Sequence, residues 1–431
     1  MLDLLPLLLG ARGVSRYRLL IGIIALASMA IGIYLALHIN ADPNLLVHWL
    51  AVTFALFLLA TLWIGIFRPT NAAFTRSRLN QPRLFLIGFT ALVLLFGMSQ
   101  FSALFDLLWG EIIGTLFIIN AIIFILFSIM IRPRRWQLQC LKGFLYLFLG
   151  AFFVFDFIPD YQKPRLFLSI LFIVFSLSCI RVIVRRGRLT NPAIPMFKDG
   201  SLTSDHLGPL RANDGRPVPI KIRIWLTESE QIVPYPYIAE LWNFFTSTLS
   251  PHRANSGPTA HHATLECGSD VYISFCPQND LAHMDPSKSS ASNMKRAIRM
   301  DQHYQMPARW RISFKDDLEL RGEPTHTVLI EDYSYQRLLH YQKHARQELT
   351  YHITRQNCCT TVVDAVDAAI CAWYSQYQCN GFLLTKLILN DLFWQAASIR
   401  FRARSFAWKT TGLLKYSQAI SGLLQLSGTV K

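Results

Sequence analysis

Two short stretches carry the residue types from which thiol chemistry is built. Residues 261–277 read HHATLECGSDVYISFCP and residues 351–366 read YHITRQNCCTTVVDAV. The species that attacks a carbonyl carbon is the thiolate, not the thiol. A nucleophile of this kind needs a base to take its proton and a third group to orient that base. Asn357 is a good N-cap type, and downstream of it Val362, Val366, Ile370 and Trp373 share one helical face with Cys358. Cys358 is therefore expected in the first turn of a helix, where unpaired backbone N–H groups and the helix dipole favour a thiolate. His262, which opens a predicted strand, is the expected base, and Ser274 on the neighbouring strand is the nearest candidate for a third polar group.

The adjacent pairs His261–His262 and Cys358–Cys359 leave the register open by one residue. Cys358 is preferred because it follows Asn357, and His262 because it precedes Ala263-Thr264-Leu265. Zinc bound by these four residues is the competing explanation. Adjacent residues seldom both reach one ion, however, and structural zinc sites space their ligands by two to four residues. No metal and no cofactor is expected.

The elements that position these residues follow from the rest of the chain. Lys221–Leu226 alternates polar and apolar side chains, as a half-buried strand does. A helix is expected over 238–249. HATLEC and VYISFC flank Gly268-Ser269-Asp270 as a β-hairpin. Further strands are expected over Arg309–Phe314 and His326–Glu331, and a helix over Ser334–Leu349. Residues 277–307 read as irregular. The C-terminal segment interleaves Arg400, Arg402, Arg404 and Lys409 with Phe401, Phe406 and Trp408, so it either lies on a membrane surface or packs Leu384, Leu387, Leu392 and Phe393 inward with its arginines solvated.

Before about residue 187 the chain has a different character. It is 52% hydrophobic overall, and its mean hydropathy of +0.29 is too high for a soluble protein of this length. The apolar residues gather in six runs, near 19–38, 46–67, 84–102, 108–131, 138–158 and 165–184, each long enough to cross a bilayer. The leading segment before them makes a poor signal peptide, because its apolar run precedes its charges, and it is expected to be retained. Connections alternate in charge. Arg12, Arg16 and Arg18, then Arg68, Arg76, Arg78 and Arg83, then Arg132, Arg134, Arg135 and Lys142, then Arg181, Arg185, Arg186 and Arg188 mark one side, whereas the other loops are neutral or acidic. This is the positive-inside pattern, with both termini and the soluble part cytoplasmic. There the cysteines should be reduced. The net charge of +15 is then explained by topology and contact with anionic lipid, so nucleic acid is not an expected partner. No span carries a central ionisable group, which argues against transport.

The spans pair into three hairpins with glycines in matching places: Gly22, Gly88 and Gly143, then Gly32, Gly97 and Gly150. Small residues of this kind allow close helix packing in lipid. With second helices ending at Arg68-Pro69, Arg132-Pro133 and Arg185-Arg186, residues 17–187 resemble the HdeD-type acid-resistance membrane proteins. That resemblance implies a bacterial inner membrane and a stress role, and it brings no catalytic residues.

The soluble part resembles the circularly permuted papain-like cysteine hydrolases, the group that includes lecithin:retinol acyltransferase and NlpC-type relatives. H-A-T-L-E followed by Y-I-S-F-C-P is similar to their GHxSL…YISxWP block, and Y-H-I-T-R-Q-N-C-C-T-T-V-V to their Y…NCSxxV block. The resemblance implies His262 as base and Cys358 as nucleophile. It departs from the pattern at His261, Cys276 and Cys359, which stand where a glycine, an aromatic residue and a small hydroxyl residue are usual.

The expected organisation is a six-helix transmembrane domain at 1–187, a linker at 188–219, an α+β domain of permuted papain-like type at 220–381 and a basic helical region at 382–431. The expected activity is hydrolysis of an amide, isopeptide or thioester through an acyl-enzyme, on a membrane-proximal protein or lipid substrate. The alternatives are lipid acyl transfer or deacylation by the same residues, and a non-catalytic membrane stress protein. Oligomeric state is not legible.

Overall fold

The computed structural model describes residues 4–38, 111, 113–131, 136–155, 162–184, 209–212, 215, 217–226, 262–278, 306–352, 355–376, 390–405 and 408–425. Among them, three helices are long and apolar enough to cross a membrane: α2 (Arg18–Leu37), α4 (Trp136–Val154) and α5 (Lys163–Val184), the last from Arg165 on. Of the six expected spans, these three are present among the described residues. The run near 108–131 yields a fourth apolar helix, α3 (Gly114–Ile131). The runs near 46–67 and 84–102 lie outside the described residues.

The helices do not pair by simple succession. α3 packs on α4, and α2 packs on α5, bringing the first expected span against the last. The second pairing is antiparallel, since Ser169 Oγ donates to Gly32 O (2.8 Å), Ser176 Oγ donates to Ala25 O (2.7 Å), and Arg165 donates to His38 O. Glycine is required at the contacts. A Cβ on Gly32 would stand 2.8 Å from Ile173, and one on Gly150 would stand 2.9 Å from the Gly114 carbonyl. Antiparallel packing puts Arg18 and Val184 at one end of the pair, where the helix before α2 also lies.

That helix, α1 (Leu4–Arg16), shares a core with the C-terminal part of the chain. Leu4, Leu8, Leu9 and Val14 are buried with the apolar residues of the strands and helices beyond residue 219. Its carbonyl at Leu7 accepts from Ala372 N (2.8 Å). Gly10, at φ +66°, lets the backbones meet, because a Cβ there would lie 2.3 Å from that of Ala372.

The domain is built on two small antiparallel sheets. The first has the order β3-β2-β1-β6, with β1 (Ile220–Trp225), β2 (His262–Cys267), β3 (Val271–Ile273) and β6 (His326–Ile330). The expected hairpin is present, with Gly268 at φ +62° in its turn. Its second arm is interrupted, however. At Ser274 the chain leaves the first sheet, and β4 (Phe275–Pro277) pairs instead with β5 (Met306–Trp310), which in turn pairs with β7 (Thr350–Tyr351). Residues 306–307, expected to be irregular, are thus strand. The strand expected over Arg309–Phe314 stops at Trp310, because Ser313 caps a helix, α6 (Phe314–Arg321), in a reciprocal capping box with Asp316.

Two of the helices that pack on the first sheet come after its last strand in the chain. α7 (Tyr335–Ala345) follows Ser334, and its Gln342 donates to Tyr272 O. α8 (Cys358–Ile370) starts where Asn357 predicts, with Asn357 Oδ1 accepting from Thr360 N (2.8 Å). Burial of Val362, Val366 and Ile370 contributes on the order of 1.5–3 kcal/mol each. Trp373 belongs to the short 3-10 helix Trp373–Gln376 instead of α8. The C-terminal helices α9 (Asp391–Ser405) and α10 (Thr410–Gln425) share this core. Arg400 is not solvated: it is buried in an ion pair with Asp367 of α8, and Tyr416 of α10 donates to the same carboxylate (2.7 Å). The helix expected over 238–249 and residues Leu384 and Leu387 lie outside the described residues.

Candidate functional site

β2 and α8 lie against each other, and their first residues meet. His262 opens β2 opposite Trp225 of β1, whose ring lies 5.7 Å from the imidazole, centroid to centroid. Cys358 opens α8. The imidazole and the Cys358 thiol are close enough for each to shift the other's proton affinity, and the Ala263 backbone amide acts on the same sulfur. Both side chains are buried, at 2% and 5% exposure, so the contact is shielded from competing water. The two residues singled out by sequence are therefore neighbours in space. Cys359 adjoins them, its Sγ 3.9 Å from that of Cys358. His261 lies outside the described residues.

The interrupted strand supplies the next partner. Ser274, fully buried where the chain passes from β3 to β4, has its Oγ 3.0 Å from His262 Nε2. Cys276, two residues on, has its Sγ 3.7 Å from the same nitrogen. A further group was missed by the sequence reading. Asp317, fully buried on α6, has Oδ1 at 3.5 Å from His262 Nε2, while Tyr272 donates to its Oδ2 (2.6 Å). Arg311 Nε (3.2 Å) and Arg321 Nε (3.6 Å) flank Oδ1. The Ser313-x-x-Asp316 capping signal marks the helix on which Asp317 sits and was the one available clue.

The electrostatics favour an ion pair. Burial alone lowers the imidazole pKa, but the Cys276 and Cys358 sulfurs outweigh it and raise His262 to about 9. The Cys358 thiol moves the opposite way, well below its ordinary value: the hydrogen bond from Cys359 acts first, burial opposes it, and His262 and the Ala263 N–H add to it. For Cys276, burial raises the pKa, and the charge and hydrogen bond of His262 bring it down to about 7. Two acidified thiols thus share one imidazolium. Tyr351 of β7 is buried beside them.

His262 Nε2, Cys276 Sγ and Asp317 Oδ1 also lie within 4.8 Å of one another, a donor set that zinc accepts. The surrounding charge opposes a divalent ion, because the two guanidiniums already neutralise Asp317 from 3.2 and 3.6 Å. At 4 Å even a unit charge feels another by about 4 kcal/mol in a protein interior of moderate dielectric. The three atoms fit a hydrogen-bonded support for the imidazolium better than a metal site. No disulfide joins the cysteines among the described residues.

The arrangement can hold a thiolate beside an acid that protonates a leaving group, with Ser274 and Asp317 orienting that acid. In comparisons with known proteins, no family model matches the chain, no curated protein is similar to it, and no solved structure matches its fold.

Proposed function

We propose that the protein is a membrane-anchored cysteine hydrolase that acts on acyl groups through a Cys358 acyl-enzyme. The observation that carries this reading is the buried His262 imidazole held by Ser274 and Asp317, with the buried Cys358 thiol at the N-terminus of the helix packed on its strand. An imidazole has two ring nitrogens to satisfy; this one has a thiol, a hydroxyl and a carboxylate around Nε2 alone.

The chemistry follows from the ion pair. The Cys358 thiolate adds to the substrate carbonyl carbon, and collapse of the tetrahedral species breaks the bond to the leaving nitrogen, oxygen or sulfur. His262 gives that atom its proton. Neutral His262 then takes a proton from water, which attacks the thioester; Cys358 departs as thiolate, the acid is released, and the imidazolium is restored. Ser274 and Asp317 act on the Nε2 side of the ring, holding its orientation and favouring its charged form, as the third member of such constellations does. The helices able to span a membrane support tethering to a bilayer, and the basic connections favour a bacterial inner membrane with the domain cytoplasmic. The permuted papain-like and HdeD-type resemblances agree with this assignment and remain resemblances.

The test is reaction of the full-length protein with a cysteine-directed acylating probe, followed by residue-resolved mass spectrometry. Labelling concentrated at Cys358 and lost in His262→Ala is the expected result. Slow labelling spread evenly over the cysteines and indifferent to His262 would remove the enzyme assignment and leave the non-catalytic alternative. Lipid extracts and membrane-protein digests incubated with wild type and Cys358→Ala then separate lipid deacylation from amide or isopeptide hydrolysis.

A further inference from the structure

Cys358 is followed directly by a second cysteine, and the two sulfurs are 3.9 Å apart at the start of α8. We infer that Cys359 is a positioning residue whose S–H donates to the Cys358 thiolate and holds the nucleophile ionised. The inference rests on Cys358 being the nucleophile and adds a second residue to its activation.

Cys359 is buried, at 2% exposure, so its thiol is shielded from solvent hydrogen bonding. Either sulfur of the pair can donate in principle, but only donation from Cys359 is compatible with an ionised Cys358. A hydrogen bond to a charged acceptor is roughly twice as strong as a neutral one. The position is also well held. Asn357 caps the helix through Thr360 and donates from its Nδ2 to Trp408 O (3.0 Å). Thr361 Oγ1 donates to Asn357 O (3.0 Å), and Tyr341 of α7 donates to Thr361 O (3.1 Å). This frame fixes the backbone of the two cysteines and therefore the distance between their sulfurs.

Several titratable groups face Cys358. They are His262 of β2, Tyr351 of β7 and Cys359 of its own helix, with Cys276 of β4 acting on the shared imidazole and on Tyr351. His262 stabilises the thiolate as a cation, and it can also withdraw that help when it transfers its proton. Cys359 supplies a hydrogen bond that does not change sign during turnover, so the thiolate remains a good leaving group when the acyl-enzyme is hydrolysed. The direction of the Cys358 shift, for which the Cys359 contact is the first cause, agrees with this.

The experiment measures alkylation of Cys358 by iodoacetamide across pH in the full-length protein held in lipid nanodiscs, with residue-resolved mass spectrometry. The variants are Cys359→Ala, Cys359→Ser and His262→Ala. In Cys359→Ala the midpoint of the Cys358 profile is expected to rise by about one pH unit, so that labelling on the acid side of the wild-type midpoint slows about tenfold. Cys359→Ser keeps a donor and is expected to stay near wild type. Equal shifts, or none, overturn the inference while His262-dependent labelling of Cys358 leaves the hydrolase assignment standing. Wild-type labelling of Cys358 that ignores His262, or an adduct on Cys359 instead, overturns both.

Discussion

His262 Nε2 stands 3.5 Å from Asp317 Oδ1, although the two belong to separate elements, β2 and α6. The carboxylate is wholly buried. A buried carboxylate persists only where it is paired and hydrogen-bonded, and Tyr272, Arg311 and Arg321 supply those contacts. Together they hold the carboxyl group beside the ring nitrogen that faces Ser274.

Asp317→Asn is expected to fold, since the amide keeps the volume and can still accept from Tyr272, and to slow acyl-enzyme formation by about a hundredfold. Asp317→Ala additionally leaves the guanidiniums of Arg311 and Arg321 facing a void and should lower the melting temperature. Comparing probe reaction rate with thermal unfolding for the two variants checks this. An Asn variant as fast as wild type would reduce Asp317 to a structural anchor.

The pH dependence of hydrolysis should be bell-shaped. The acid limb belongs to Cys358, whose thiolate is lost only when pH falls well below the ordinary thiol range. The alkaline limb belongs to His262, raised to about 9 against the effect of burial. Because the raised group must be protonated to serve the leaving atom, activity is retained below that value and declines as pH rises through it. Cys276→Ala removes the largest upward influence on the imidazole, so the alkaline limb should move to lower pH with the acid limb nearly unchanged. Rate measured against pH in both proteins tests the assignment; coincident alkaline limbs would rule out the shared imidazole.

Parts of this site were legible in the sequence for definite physical reasons. Asn357 is a cap residue, and the apolar spacing after it is helical, so the start of α8 and the placement of Cys358 followed from local chemistry. The hairpin through Gly268 followed from turn chemistry in the same way. The break at Ser274 was not legible, because FCP continues the alternation of VYI and only its pairing with β5 shows that the strand changes sheets. Asp317 was hidden because its role depends on tertiary contacts between α6 and β2. Arg400 misled for a related reason: in a basic stretch the average arginine is solvated, and only the position of Asp367 on α8 makes this one part of the core.

That buried pair gives a stability prediction. Arg400, Asp367 and Tyr416 join α9, α8 and α10 through one carboxylate. Removing the acid leaves a buried guanidinium uncompensated, so Asp367→Ala should destabilise the domain by about 3–5 kcal/mol. Replacing both members with apolar residues, as Asp367→Leu with Arg400→Met, should recover much of that loss. Chemical denaturation followed by tryptophan fluorescence measures both; a double variant no more stable than the single would show that the hydrogen bonds, and not the stranded charge, dominate.

The contact of α1 with Ala372 makes the segment before the first span a structural part of the domain after the last one. Leu8 is buried to 1%, and Leu8→Ala should destabilise the domain by about 2–5 kcal/mol. Gly10→Val combines a β-branched side chain at φ +66° with a clash at 2.3 Å. The overpacking costs about 1–3 kcal/mol, and the left-handed backbone adds to it. Exposed Ser15 provides the control, because surface changes usually stay within about 0.5 kcal/mol. Limited proteolysis with an antibody to the C-terminus reads the outcome directly. If α1 is integral, Leu8→Ala and Gly10→Val expose cleavage sites hundreds of residues away in the chain, and Ser15→Ala does not. Protection unchanged in all three would mean that the domain folds without α1, and the shared core assigned to the two ends of the chain would be wrong.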